Sequence, residues 1–164
     1  MEGQQTTVRR FAMIHAETIL REAYQIPEGE QESPLSGDKK RTELTRLLKA
    51  GDARMGGMMT ALTVSGQGVQ ISDKNDLRPG DLLQYWKIKD EKASGHAVII
   101  HKVRTDQGVL DENAQRVEGP LTVNGIGVLS AHAKREDKPD VYTKGFVDPD
   151  QEYSTWFAVR PAGS

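Results

Sequence analysis

The sequence predicts an α+β fold in which N-terminal helices pack on an antiparallel sheet. Apolar residues recur at helical spacing as far as Ser65. The texture then changes to short runs bounded by turn residues, and these follow one another as a meander. At 164 residues the chain supports one domain with a sizeable core. Its helical part covers about residues 6–65 and its sheet part about residues 68–161.

The first helix is expected from about Thr7 to Tyr24. Ala12, Ala16, Ile19, Leu20 and Ala23 make its narrow apolar stripe, Thr6 or Thr7 caps its start, and Pro27 and Gly29 end it. Gln25–Gly37 reads as a mobile polar loop. A second helix is expected over Asp38–Ala50, with Leu44, Leu47 and Leu48 inward and Gly51 as its stop. Asp52 is placed to cap a third, whose stripe is Met55, Met58, Met59 and Leu62. A methionine cluster of this kind is gap-filling core. Gly56-Gly57 costs up to ~1 kcal/mol of helix propensity per glycine, so this helix must pack tightly or be short.

Strands are expected around Val69–Ile71, then at Leu82–Ile88, His96–Val103, Val109–Ala114, Gly127–Ala131, Val141–Phe146 and Tyr153–Arg160, with Lys134–Asp140 as a mobile connection. Leu77-Arg78-Pro79-Gly80-Asp81 is a tight turn delivering the Leu82 strand. Gly66-x-Gly68 lacks the rest of a dinucleotide fingerprint.

Composition narrows the function classes. A net charge of −2 with mixed signs along the chain gives no reason to expect a nucleic-acid or membrane-surface partner, and Lys39-Lys40-Arg41 reads as solvated helix surface. No window approaches the roughly 18 apolar residues of a membrane span. The N-terminal residues lack the basic and apolar regions of a signal peptide. With no cysteine, the chain holds no disulfide, thiolate metal site or thiol nucleophile. No His-Glu-x-x-His or equivalent ligand spacing appears, and no metal or cofactor is expected.

The chemistry-bearing block runs from Leu77 to Asn113. Alternation puts His96, Val98 and Ile100 on one strand face and Ala97, Ile99 and His101 on the other. A turn at Thr105–Gly108 returns the chain antiparallel, with Asp111 and Asn113 sharing a face. A symmetric hairpin sets Asn113 opposite Ile100, on the face of His96 but short of it, so contact needs a bulge or a register offset. A histidine at a strand start with a carboxylate or amide beside it is the orienting half of a nucleophilic site. The partner fixes the imidazole tautomer while the other nitrogen takes the nucleophile's proton. His101 reads as structural, His132 as a loop residue, and His15, three positions past Ala12, points about 60° off that residue's face. Tyr85 and Trp86 are candidates to line a substrate groove, with core packing as the alternative.

"RPGDLLQYW", "SGHAVIIHKV", "GVLDEN" and the final strand "STWFAVRP" together resemble the NlpC-like and CHAP-like families of papain-fold amidases and peptidases. The resemblance covers Leu77–Asn113 and, weakly, the first helix. It implies a papain-like fold with His96 as general base and Asp111 or Asn113 as its orienting partner. It also implies a cysteine in the first turn of the N-terminal helix, where unpaired N–H groups and the dipole lower a thiol pKa from about 8.5 into the range ~3.5–7.5. Counting back from Ala23-Tyr24 lands on Ala12, which also lies on the stripe facing the sheet. Alanine at that position departs from the family pattern. Two explanations compete: an engineered replacement of a native cysteine, giving an inactive mutant, or a natural non-catalyst. Ser33, Ser36 and Ser65 are not at a helix start facing the sheet.

By resemblance the native protein is a cysteine hydrolase cutting amide bonds of bacterial peptidoglycan, an antibacterial effector or toxin delivered to the periplasm or cell wall and countered by an immunity protein. The alternatives are a binding module of the same fold without catalysis, and an effector deamidating or acylating a protein substrate.

Overall fold

The computed structural model describes residues 41–113, 119–131, 141–143 and 145–163. The helix expected at Thr7–Tyr24 and the two loops expected to be mobile lie wholly or mainly outside them. Helices come first and an antiparallel sheet follows, so the domain is α+β.

Helix α1 covers Arg41–Lys49. Asp52 then caps a 3-10 turn at Ala53–Gly56, its carboxylate accepting from the Arg54 N–H at 2.9 Å and from the Arg54 guanidinium. Helix α2, Met58–Val64, follows only after Gly57, whose φ of 53° and ψ of −122° interrupt the helical path. The expected third helix is thus broken at its glycine pair, where a residue with a Cβ would be strained. Its methionines fill core as expected: Met55, Met58 and Met59 are all buried. None of the described helices is long and apolar enough to cross a membrane.

The strands are β1 (Gly68–Ile71), β2 (Leu82–Lys89), β3 (Lys92–Thr105), β4 (Gly108–Asp111), β5 (Val123–Ala131), β6 (Val141–Thr143) and β7 (Thr155–Pro161), with a short helix α3 at Pro149–Glu152. Their order is β1-β7-β2-β3-β5-β6, and β4 also pairs with β3. The last strand therefore lies between the first two. β2 and β3 are joined at Asp90-Glu91, both at positive φ (52° and 62°), the primed turn whose twist suits a two-residue hairpin. Asp90 suits the first position of such a turn, while Glu91 stands where it favours glycine. Thr45 of α1 donates to the Glu91 carbonyl at 2.8 Å and ties the turn to the helix.

Each sheet face has its own core. On the helix side, Leu82, Trp86, Ala93 and Val159 pack against Leu47, Met55, Met58 and Met59. The opposite face curls around Ile71, Leu83, Val98, Ile100, Val103, Val123, Ile126, Val128 and Ala158, closed by Leu77 and Tyr153.

Asp81 ends the Arg78–Asp81 turn and is almost wholly buried. Its carboxylate accepts from Arg160 Nε and Nη2, each at 2.9 Å, and from the Arg78 N–H at 2.8 Å. Burial pushes this carboxyl above its usual range, and the Arg160 and Arg78 hydrogen bonds oppose the shift without cancelling it. The Asp81 carbonyl accepts from the Ile100 N–H at 2.9 Å, so one residue links β2, β3 and β7.

Candidate active site

His96 takes its place from the glycine before it. Gly95 sits opposite Trp86 on the helix side, where an added Cβ would lie 2.6–2.7 Å from indole carbons. The strand can approach that ring only because residue 95 has no side chain. Trp86 is 4% exposed and donates from Nε1 to the Met55 carbonyl at 2.8 Å. Burying a tryptophan removes ~150–250 Å2 from water, which at ~25 cal/mol per Å2 amounts to about 4–6 kcal/mol as an upper figure. The Gly-His pair thus divides its work between the two faces. The glycine admits an anchor on one side, and the histidine turns to the other.

That other face carries aromatic rings at one level. His96 pairs with Tyr85 on β2, and Tyr85 pairs with Trp156 on β7. The Tyr85 and His96 ring centroids are 6.2 Å apart at 65°, an edge-type contact, and Tyr153 stacks on Tyr85 at 4.2 Å and 4°. His96, Tyr85 and Trp156 are half-buried and Tyr153 is buried. Burial raises the Tyr153 hydroxyl pKa well above that of a free phenol, so it stays protonated at any working pH. The rim is charged: Lys87 pairs with Glu152 at 2.8 Å and stands 6.0 Å from the Tyr153 centroid, while the Trp156 indole donates to Asp150 at 2.9 Å.

Asp111 and Asn113 are elsewhere. Val98, Ile100 and Val103 all enter the same core, which uninterrupted alternation from 100 to 103 would forbid. The ladder explains it: Ile100 pairs with Val128 and Lys102 with Gly127, leaving His101 as an extra residue whose ring lies against Gly127. Burial and neighbouring Lys102 hold the His101 pKa below its usual value.

Beyond this bulge the faces exchange. Leu110, opposite Val103, packs on the same core, and Asp111, opposite Lys102, turns away from it. Asp111 is also six positions along β3 from His96, about 20 Å at ~3.3 Å per residue. It is exposed, and its carboxylate accepts from the Asn113 N–H at 2.9 Å, closing a local turn. A bulge was the device expected to bring these residues to His96, and here it carries Asp111 to the opposite face.

Of the expected site residues, then, the structure brings His96 and Tyr85 together. It separates Asp111 and Asn113 from them and puts Trp86 in the helix-side core, out of reach of a groove shared with Tyr85. Ala12 and His15 lie outside the described residues. Tyr153 and Trp156 were not expected. Tyr153 caps α3 and Trp156 lies on β7, and which face they share with His96 depends on β7 lying beside β2, a pairing far apart in sequence. Among the described residues no group of three or more His, Cys, Asp or Glu is arranged to hold a metal ion. Imidazole is the side chain most used for general acid–base work, and here it stands half-buried among aromatic rings. Compared with protein-family models, curated proteins and solved structures, the chain finds no match.

Proposed function

We propose that the native protein is a papain-like cysteine amidase or endopeptidase acting on amide bonds of bacterial peptidoglycan, with His96 as its general base and position 12 as that of its nucleophile. The observation that carries this reading is the Gly95-His96 step. It holds an imidazole, half-buried, on the face opposite a core tryptophan and within edge contact of Tyr85. Peptidoglycan, delivery as an antibacterial effector and an immunity partner enter by resemblance of the Leu77–Asn113 motifs.

In the reaction, a thiolate at position 12 attacks the amide carbonyl. His96, having taken the thiol proton, returns it to the leaving amine, and water then releases the acyl group. The present chain carries alanine there and is read as disarmed.

The test is Ala12→Cys. The expected outcome is a thiol alkylated rapidly at neutral pH and cleavage of purified peptidoglycan that His96→Ala abolishes. An unreactive thiol together with intact peptidoglycan would overturn the reading. A second reading, a non-catalytic binding module, is favoured by the placement of Asp111 and Asn113 away from His96. It expects Ala12→Cys to bind peptidoglycan without cutting it.

A further inference from the structure

A general base must be aimed, and the torsion that turns an imidazole about its last bond is broad, so it needs neighbours to set it. The Tyr85 ring lies beside His96, and its own position is fixed from behind. Tyr153 covers one whole face of it, stacked within 4° of parallel. Tyr153 is in turn held by backbone. Its N–H donates to the Pro149 carbonyl at 3.1 Å, the Ser154 N–H donates to the Trp86 carbonyl at 2.9 Å, and the Ile88 N–H donates to Ser154 Oγ at 2.9 Å. Helix α3, which precedes it, is capped by Asp148, and Lys74 pairs with that carboxylate at 3.0 Å.

We infer that Tyr153 and Tyr85 form a stacked positioning pair that fixes the ring plane of His96, with Tyr153 acting through Tyr85. The inference rests on the reading of His96 as the base. It makes Tyr153 a positioning residue for a reaction in which its hydroxyl takes no part. Among the described residues, Lys87 and Glu152 beside the pair form an ion pair, and Asp150 is engaged by Trp156.

The experiment is proton NMR of the His96 ring in the chain as it stands. Expected are ring-proton resonances displaced from random-coil positions by the Tyr85 ring current, with cross-relaxation from Tyr85 to both His96 and Tyr153. Tyr153→Leu is expected to lose the displacement and Tyr153→Phe to keep it, with Val103 and Leu110 methyl signals unchanged in both as a check on the fold. If Tyr153→Leu does not fold, Tyr85→Leu replaces it, and the displacement must again vanish. Random-coil His96 resonances in the parent chain, or displacement that survives Tyr153→Leu or Tyr85→Leu, would overturn the inference.

In the Ala12→Cys background, Tyr153→Leu is expected to lower kcat about 10–100-fold with KM unchanged. Should Ala12→Cys prove inactive, the enzymatic reading fails while the resonances still decide the positioning role.

Discussion

The two halves of β3 belong to one continuous strand and share little else. From Lys92 to Ile99 it is flanked by β2, and its side chains alternate between the helix-side core and the aromatic face. From Lys102 to Thr105 its neighbour on that edge is β4, and the residue parity is inverted. One extra residue, His101, makes the change. The contrast teaches that two residues on adjacent strands, with correct chemistry and correct spacing, are kept apart by a single insertion between them. A strand face is a property of an uninterrupted ladder, so counting by twos is valid only as far as the next bulge.

Deleting His101 would break this comparison outright. Without it, Val103 and Thr105 must turn out of the core or the β5 ladder must slip. The cost of exposing Val103 and unseating Leu110 is about 3 kcal/mol or more. Chemical denaturation should show a correspondingly lower midpoint or no cooperative transition, and an unchanged midpoint would show that the bulge is dispensable.

Next in size is Gly95→Ala in the first half. The new methyl meets the Trp86 ring, which is pinned by its bond to Met55, and overpacking of this kind costs about 1–3 kcal/mol. Trp86 fluorescence should move along with the unfolding midpoint. The equivalent change at Gly108, where an added Cβ meets nothing, should cost only the strain of its φ of 113°.

Asp81, where the two halves meet, is sensitive to pH. Its folded carboxyl holds a proton to higher pH than in the unfolded chain. Between the two titrations the native state binds more protons, and the stability contributed by this group falls as pH rises through that window. Asp81→Asn removes the titration, so the stability of the parent chain relative to this variant should decline across the acid-to-neutral range. A difference that grows with pH instead would mean that Arg160 outweighs burial.

The smallest effect is expected at Asp111. Asp111→Ala loses an exposed turn bond, within about 0.5 kcal/mol. In an active Ala12→Cys background it should leave kcat nearly unchanged. A loss comparable to that of His96→Ala would show that Asp111 reaches His96 after all.

Much of the fold was legible because it rests on local chemistry. The Asp52 cap, the Arg78–Asp81 turn, the buried methionines and the two long strands all follow from residues near one another in sequence. Sheet topology was not, and the site suffered most from that. Trp86 and Trp156 look equivalent in sequence, each on an alternating strand. Gly95, by admitting one indole, settles which of them belongs to the core, and that is visible only once Gly95 is known to face Trp86. β5 starts earlier than expected because glycines at 125 and 127 blur the alternation that would mark a strand, and β7 starts later because Tyr153 still caps α3.

The place of β7 has a consequence for the order of assembly. Along the described path β1 borders β7 alone, with Ile71 opposite Ala158, and Asp81 finds its cation on the same strand. During synthesis the β2–β3 hairpin and β4 can form as they emerge. Meanwhile β1 stands as a bare edge and the Asp81 carboxylate lacks its guanidinium until β7 arrives. Contacts of such long sequence separation slow folding and leave unpaired strand edges open to association. The nascent chain is therefore most vulnerable to aggregation between the emergence of β2 and that of β7.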